Sequence, residues 1–423
     1  MTQAMPRDPY DIVIVGGGLT GLMMAIALSY AVPRRADRHV IALIDRDGAN
    51  TGKPLDLRTT TIHAGGKTML QTLGVWERLH RSPTAIHQIK IAAGIAANQS
   101  LSRRQQRDFQ IGWQDHNSPM AYVVSNDDLQ QALYAVLAER PVTMISHASV
   151  TGLLRPNTSG SGGLAVLQID DHDDLACHLI VACDGANSQL RTLAGMRRRA
   201  ESHRQTAIVA NLAIERDHDH TAFQRFLPTG PLAFMPHGDK KMSMVWSLPK
   251  AEAKTLIDCD DGTFSAQVYQ HFGDHLGNIR LLGSRWLWPL IPAMMPKLTD
   301  PYLVLAGDAG HVIHPLAGQG YNLALGDAAV LADAVAAAAR LGLPPSHRAV
   351  RTDYEAGRKV EVTSMSLMTS GLNRLMSADS QLARLAGSGM QLVDTSPLKT
   401  IFQKSASGGH LTDAALLRGK LPG

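Results

Sequence analysis

Cysteine is nearly missing from this chain. Its three copies, Cys177, Cys183 and Cys259, are odd in number, far apart and in no C-x-x-C pair, which excludes a disulfide framework and leaves no zinc-site spacing. Charge of one sign is lacking as well: 41 Lys and Arg against 37 Asp and Glu leave a net charge of +4 over 423 residues. That is too little to argue for nucleic acid, and the clusters Arg103-Arg104 and Arg197 to Arg199 read as solvated faces. No apolar run reaches the ~18–20 residues that a membrane span needs, and Met1 to Tyr10 is polar with no apolar signal region, so the expected location is the cytoplasm. His311 and His314 are followed by a proline and lack a third ligand, so no metal site is expected. What remains is an ordinary globular composition, 44% hydrophobic and 18% charged, with length for two or three domains' worth of core.

The richest stretch is Asp11-Ile-Val-Ile-Val-Gly-Gly-Gly-Leu-Thr-Gly21, a β-branched run that ends in glycines and passes into Leu22 to Leu28. Gly16, Gly18 and Gly21 fit G-x-G-x-x-G, which permits a tight turn, close backbone approach to a pyrophosphate and tight helix–strand packing. The helix start then faces the phosphates with its N–H groups. A second apolar run, Val40 to Ile44, ends at Asp45, whose carboxylate can bind both hydroxyls of an adenosine ribose. The polar insert Pro33 to His39 accounts for the longer spacing.

Leu55 to Leu73 is expected to be helical, with Ile62, Met69, Leu70 and Leu73 on one face and Arg58 near its start. Arg58 is either a surface ion pair, the commoner role, or a group that reaches a pyrophosphate or a flavin edge. Asp127 to Glu139 forms another amphipathic helix, capped by Asn126. Strands follow at Met144-Ile145, Leu164 to Ile169 and His178 to Cys183, with Asn157 to Gly163 as a hairpin turn. The last strand ends in Asp184-Gly185, either a ligand position at the carboxyl edge of a parallel sheet or a capped turn into a helix.

From Thr206 to Pro249 the texture changes to short strands, 207–214, 221–227, 231–235 and 241–248, which predict an antiparallel sheet laid over the first. Phe223, Phe226, Phe234, Met235, Met244 and Trp246 form either its core or an apolar pocket wall. Further on, the strand Pro301 to Ala306 runs into Gly307-Asp308 and a glycine-rich loop before a helix from Tyr321 to about Arg340. Asp308 can accept hydrogen bonds from ribityl hydroxyls, and the N–H groups of Gly318 to Asn322 can stabilise negative charge on a reduced ring. Trp286-Leu-Trp288-Pro289-Leu-Ile-Pro292 reads as the strand leading to Gly307-Asp308, and it misses the flavin-halogenase pattern W-x-W-x-I-P by one residue. The region after Leu343 is helical in pattern, with Tyr354, Arg358 and Arg374 among apolar residues. Leu382 to Phe402 packs on the first domain or lies on a membrane, and Ser405 to Gly409 is a mobile stretch.

Taken in order, the glycine fingerprint, Asp184-Gly185 and Gly307-Asp308-Ala-Gly-His311 continuing to His314-Pro315-Leu-Ala-Gly318-Gln-Gly320-Tyr321-Asn322 carry a resemblance to the group A flavoprotein aromatic hydroxylases. These are the para-hydroxybenzoate hydroxylase type, and the chain is most similar to the ring hydroxylases of ubiquinone biosynthesis. Asp56-Leu-Arg58, Phe223-x-x-Phe226-x-Pro228-x-Gly230-Pro231, Trp288-Pro289-Leu290 and Gly371-Leu-Asn-Arg374-Leu extend it over nearly the whole chain.

The resemblance implies an α/β fold: a Rossmann-like FAD-binding domain (1–80, 110–200 and 285–345), a β-sheet substrate domain (81–109 and 201–284) and a helical C-terminal region (346–423). It implies FAD, with Asp45 on the adenosine ribose, Arg58 on the pyrophosphate side, Asp308 on the ribityl and Gly320 to Asn322 under the isoalloxazine. Asp184-Gly185 would serve both FAD and the nicotinamide. Asn126 stands where many relatives place an Arg or Gln on FAD. With no second glycine fingerprint, NADPH or NADH docks transiently.

The implied reaction inserts one oxygen of O2 into the ring of a hydrophobic, polyprenylated phenol through a C4a-hydroperoxyflavin, with His314 and Pro315 on the pocket floor. Other ubiquinone-biosynthesis proteins and a peripheral contact with the inner membrane are the implied partners. The alternatives are a hydroxylase of another small phenol, or a non-catalytic FAD-containing subunit that binds lipid.

Overall fold

A computed structural model describes residues 9–33, 40–48, 56, 58–92, 111–114, 118–156, 163–200, 205–291, 293–313, 320–377 and 413–423. The chain opens with β1 (Tyr10–Val15), α1 (Leu19–Ala31) and β2 (Ile41–Asp45), then β3 (Thr59–His63) and α2 (Ala64–Thr72). Next come β4 (Thr84–Ile86), β5 (Gln88–Ala92), β6 (Ile111–Gln114), β7 (Ala121–Ser125), α3 (Asn126–Leu137), β8 (Val142–Ser146), β9 (Val150–Leu154), β10 (Ala165–Ile169), β11 (Leu175–Ala182) and α4 (Gln189–Leu193). A second run holds β12 (Arg199–Ala200), β13 (Gln205–Ile214), β14 (Thr221–Leu227), β15 (Gly230–Pro236), β16 (Lys241–Pro249), α5 (Lys250–Asp258), α6 (Asp261–Phe272) and β17 (Ile279–Leu290). The last elements are β18 (Ala293–Met294), β19 (Thr299–Asp300), β20 (Leu303–Leu305), β21 (His311–Val312), α7 (Gly320–Arg340) and α8 (Arg348–Ser377).

The parallel strands lie in the order β20-β11-β1-β2-β8, so the chain turns outward in both directions from β1. Because they run the same way, the turns after β1, β2, β11 and β20 gather at one edge, where such sheets bind ligands. Strands buried on both faces must be apolar throughout, and Ile12 to Ile14, Ile41 to Ile44 and Leu179 to Ala182 are at most 1% exposed. α1 and α7 cover this sheet together. α7 is long and apolar enough to cross a membrane by length and composition, but most of its apolar window is packed inside the core. The expectation that no segment would pass that test is corrected, and the apolarity is explained by burial on nearly every side.

The second sheet follows the order β17-β13-β16-β15-β14-β5-β6. It is antiparallel from β17 to β14, as expected, but β14 pairs with β5 in parallel. β5 comes from more than a hundred residues earlier, so no hairpin dictates its direction. One face of this sheet packs under α5 and α6: Phe223, Phe234, Met244 and Trp246 join Phe264, Val268 and Phe272 in one core. These four aromatic and methionine residues are therefore sheet core and not a pocket wall. β17 pairs with β13 along its length through Leu290, so Trp286 to Leu290 belongs to this sheet and the boundary expected at 285 falls inside a strand.

Two local expectations also change. Thr59 to His63 is a strand paired with β7, so Arg58 precedes a strand and the helix begins only at Ala64. Ser125 occupies the N-cap of α3, with Asn126 as the first helical residue. The Asn157 to Gly163 turn, apart from Gly163, and the segments 382–402 and 405–409 lie outside the described residues.

Candidate functional site

The site grows from the turn after β1. Gly16 has φ +108°, and a Cβ there would stand 2.4 Å from the Cys183 carbonyl oxygen, so no other residue makes this turn. At Gly21 an added Cβ would meet the Gly16 carbonyl oxygen at 1.8 Å, which is how closely α1 packs on the turn. Gly18 differs: no described residue lies within 4 Å of its would-be Cβ. Gly18 is also the N-cap of α1 and offers no side-chain acceptor. The first-turn N–H groups therefore face open space, the arrangement that binds a pyrophosphate.

Asp45, at the end of β2, accepts from Gly17 N–H (3.0 Å) and from Gly48 N–H (2.9 Å). A carboxylate offers about four lone-pair directions, so roughly two remain for ribose hydroxyls.

Arg58 is held by Asp56 through two charge-assisted bonds of 2.7 and 2.6 Å, and its guanidinium lies 4.4 Å from the centroid of the Trp288 ring. Burial works against the charge on Asp56, but the Arg58 bonds and charge hold its carboxyl below the usual range. Asn126 donates from Nδ2 to Asp56 (3.2 Å), and its buried Oδ1 has no partner among the described residues. At the end of β11, Asp184 accepts from the Gln189 and Leu190 N–H groups with one oxygen, while its other oxygen is buried with no partner among the described residues. It thus caps α4 and keeps an acceptor in reserve. Gly185 beside it has φ +80°.

After β20 the chain turns at Gly307, with φ +57°. Asp308 is reached by solvent although protein surrounds it, as a side chain in a cleft is. Burial raises its carboxyl above the ordinary value. α7 begins at Gly320, where an added Cβ would again meet none of the described residues. The Asn322 side chain clasps β3, accepting from His63 N–H (3.1 Å) and donating to the Thr61 carbonyl (2.8 Å). The Tyr321 hydroxyl reaches the Leu19 carbonyl at 3.4 Å. The starts of α1 and α7 and the strand after Arg58 are thereby fixed side by side. His314, Pro315 and Gly318 lie outside the described residues.

Sequence reasoning missed a buried charge cluster behind this edge. Asp327 on α7 is 0% exposed; one oxygen accepts from Gly307 N–H (2.7 Å) and from His311 Nε2 (2.8 Å), the other from Arg358 Nε (2.6 Å). Burial opposes its charge, but His311 and Arg358 hold its carboxyl below the usual range. Arg358 also donates to the Leu323 carbonyl and to Glu361, and Tyr354 donates to the Leu305 carbonyl. His311, considered as a metal ligand, is thus a carboxylate partner. Asp327 stands two helical turns beyond Gly320, a spacing that could have flagged it; Arg358 is 31 residues further on, with no local signal.

Glycines that leave room at two helix starts, an acid at the end of β2, an orphaned acceptor on Asp184 and a carboxyl in an open cleft together fit a flavin dinucleotide. Fold and site define an FAD-dependent flavoprotein of the doubly wound α/β class. The family model described as FAD binding domain matches residues 9–343, and the chain belongs to that family. It is 34% identical to ubiquinone hydroxylase UbiL of Rhodospirillum rubrum over 94% of this chain and 89% of that one. It is 29% identical to 3-demethoxyubiquinol 3-hydroxylase of Escherichia coli, over 87% and 90%. Among solved structures, p-nitrophenol 4-monooxygenase PnpA from Pseudomonas putida shares the fold with a TM-score of 0.72 at 15% identity, covering 95% of this chain and 99% of that one. PqsL from Pseudomonas aeruginosa does so at 0.72 and 18%, covering 90% and 99%.

Proposed function

We propose that this protein is an FAD-dependent monooxygenase that hydroxylates the aromatic ring of a polyprenylated phenol in ubiquinone biosynthesis, with NAD(P)H and O2. The relatives named as ubiquinone and demethoxyubiquinol hydroxylases support this reading. The observation that carries it is the convergence of the open glycine turns and Asp308 at the carboxyl edge of the first sheet, to which the second sheet is tied by Met235, whose sulfur accepts from Thr61 of β3 at 2.9 Å.

Bound FAD supplies the hydride acceptance and oxygen activation that side chains cannot. In our reading Gly18 admits the pyrophosphate, Asp45 and Asp308 accept from the ribose and ribityl hydroxyls, and Arg58 lies beside the phosphates. The start of α7 places its N–H groups toward developing negative charge. The second sheet orients the phenol and excludes water. The nicotinamide docks transiently at Asp184-Gly185. We further propose a cytoplasmic protein that meets its substrate at the inner membrane and works beside other enzymes of the pathway.

NAD(P)H oxidation by the FAD-loaded protein, stimulated by a prenylated phenol and yielding a product heavier by one oxygen, is the expected result. Unstimulated oxidation, with no oxygenated product from any phenol, overturns the reading.

A further inference from the structure

Strand pairing fixes which side chains share the face of the second sheet turned away from α5 and α6. Neighbouring residues on a strand alternate between faces. The core under the helices takes Ile208, Met244, Phe234 and Phe223, so their neighbours look the other way. One cross-strand row on that opposite face reads Trp286, Val209, Val245, Ala233 and Gln224. The row crosses four inter-strand gaps, ~19 Å at ~4.8 Å each. It begins at an exposed tryptophan, runs over small apolar side chains and ends at an amide. Val245 lies on an interior strand and is nevertheless half-buried, so solvent reaches the middle of this face.

Gln224 is 8% exposed, and its Nε2 is fully buried with no hydrogen-bond partner among the described residues. A buried amide left without an acceptor costs the fold free energy, so its retention calls for an explanation outside the fold. Met235, one row along and on the neighbouring strand, bonds Thr61, whose carbonyl is held by Asn322 at the start of α7. The amide therefore shares the face that carries Met235, on strands against which α8 also packs, at the inner end of an apolar track.

We propose that Gln224 is a substrate-positioning residue, donating from Nε2 to a ring oxygen of the aromatic substrate while the apolar tail lies along the row toward Trp286. This rests on the hydroxylase reading and names the group that recognises the oxygenated ring. An amide donor separates rings bearing an acceptor oxygen from plain hydrocarbons, because only the former satisfy it.

The test titrates FAD-loaded protein with 2-geranylphenol and with geranylbenzene, following the flavin absorbance. Wild type is expected to favour the phenol about tenfold. Gln224→Met keeps the volume and removes the donor; it should abolish the preference while FAD content and geranylbenzene affinity stay unchanged and the melting temperature stays or rises. A merely structural role would not erase the preference selectively. Equal affinities in wild type, or a preference retained in the variant, overturn the proposal. Should the variant fail to fold, 2-geranylanisole decides on wild type alone. It keeps the acceptor oxygen and lacks the hydroxyl hydrogen, so phenol-like affinity is expected, and hydrocarbon-like affinity overturns it. Phenol binding with the preference but no stimulated NAD(P)H oxidation would sink the hydroxylase reading and leave the amide contact standing.

Discussion

At the scale of single residues, space and charge make separate statements. Gly18→Val adds bulk only into the opening over the α1 start, where no described residue lies within 4 Å. Overpacking costs about 1–3 kcal/mol when a ligand fills that space, so FAD affinity should fall roughly 5- to 150-fold while the apoprotein melts as before. Fluorescence titration with FAD checks the first and thermal melting the second. Asp308 works in the opposite sense. Burial raises its carboxyl, so the folded apoprotein binds that proton more tightly than the unfolded chain. The ionised group then costs the fold at neutral pH, and the cost fades as pH drops through the raised value. Asp308→Asn should raise the apoprotein melting temperature at pH 7, with the gain shrinking toward pH 4, and should weaken FAD retention. Unchanged melting across that range would remove the burial argument.

These residues were legible because their chemistry is local. A glycine at φ +108° and an acid ending an apolar run announce themselves within a few positions. Arg58 was legible as a group that matters but not in its setting, since both Asp56 and Trp288, 230 residues away, decide where the guanidinium sits. Gln224 carried no signal at all: an amide's lack of a partner is a property of the packed fold.

At the scale of elements, the Asp327 cluster locks α8 to α7 and both to the Gly307 turn. Removing Arg358 strands a buried carboxylate, which costs about 3–5 kcal/mol. Arg358→Met should therefore lower the melting temperature markedly and loosen FAD as the Gly307-Asp308 turn relaxes. Added FAD should recover part of the loss by mass action. Asp327, with its carboxyl held below the usual range, contributes stability above about pH 4 that disappears as pH falls through its lowered value. The misreading of Thr59 to His63 as helix has a physical source. Ile62 and Met69 are seven apart and satisfy the helical period, but three consecutive threonines favour the pleated form, and pairing with β7 decides it.

At the scale of the molecule, the class of fold was legible and the joining of its two sheets was not. The parallel core follows from alternating strands and helices, whereas the parallel β14–β5 pair and the reach of β17 to Leu290 depend on segments remote in sequence. The C-terminal residues show the same dependence. Leu416 and Leu417 are 0% and 4% exposed in the first core, and Ala415 N–H donates to Asp333 on α7 at 2.8 Å. Removing Asp413 to Gly423 uncovers two leucines, each worth about 1.5–3 kcal/mol, and leaves that acid without its donor. A lower melting temperature is expected, with FAD binding retained by what remains folded.

That return of the chain to its beginning bears on how the protein is made. Its central strand is synthesised early, yet the hydrophobic seal over α2 and α7 comes from Leu416 and Leu417, some four hundred residues later in the chain. A nascent chain stalled before Asp413 holds the flavin turns and an unsealed core together, open to chaperones and proteases until that segment emerges.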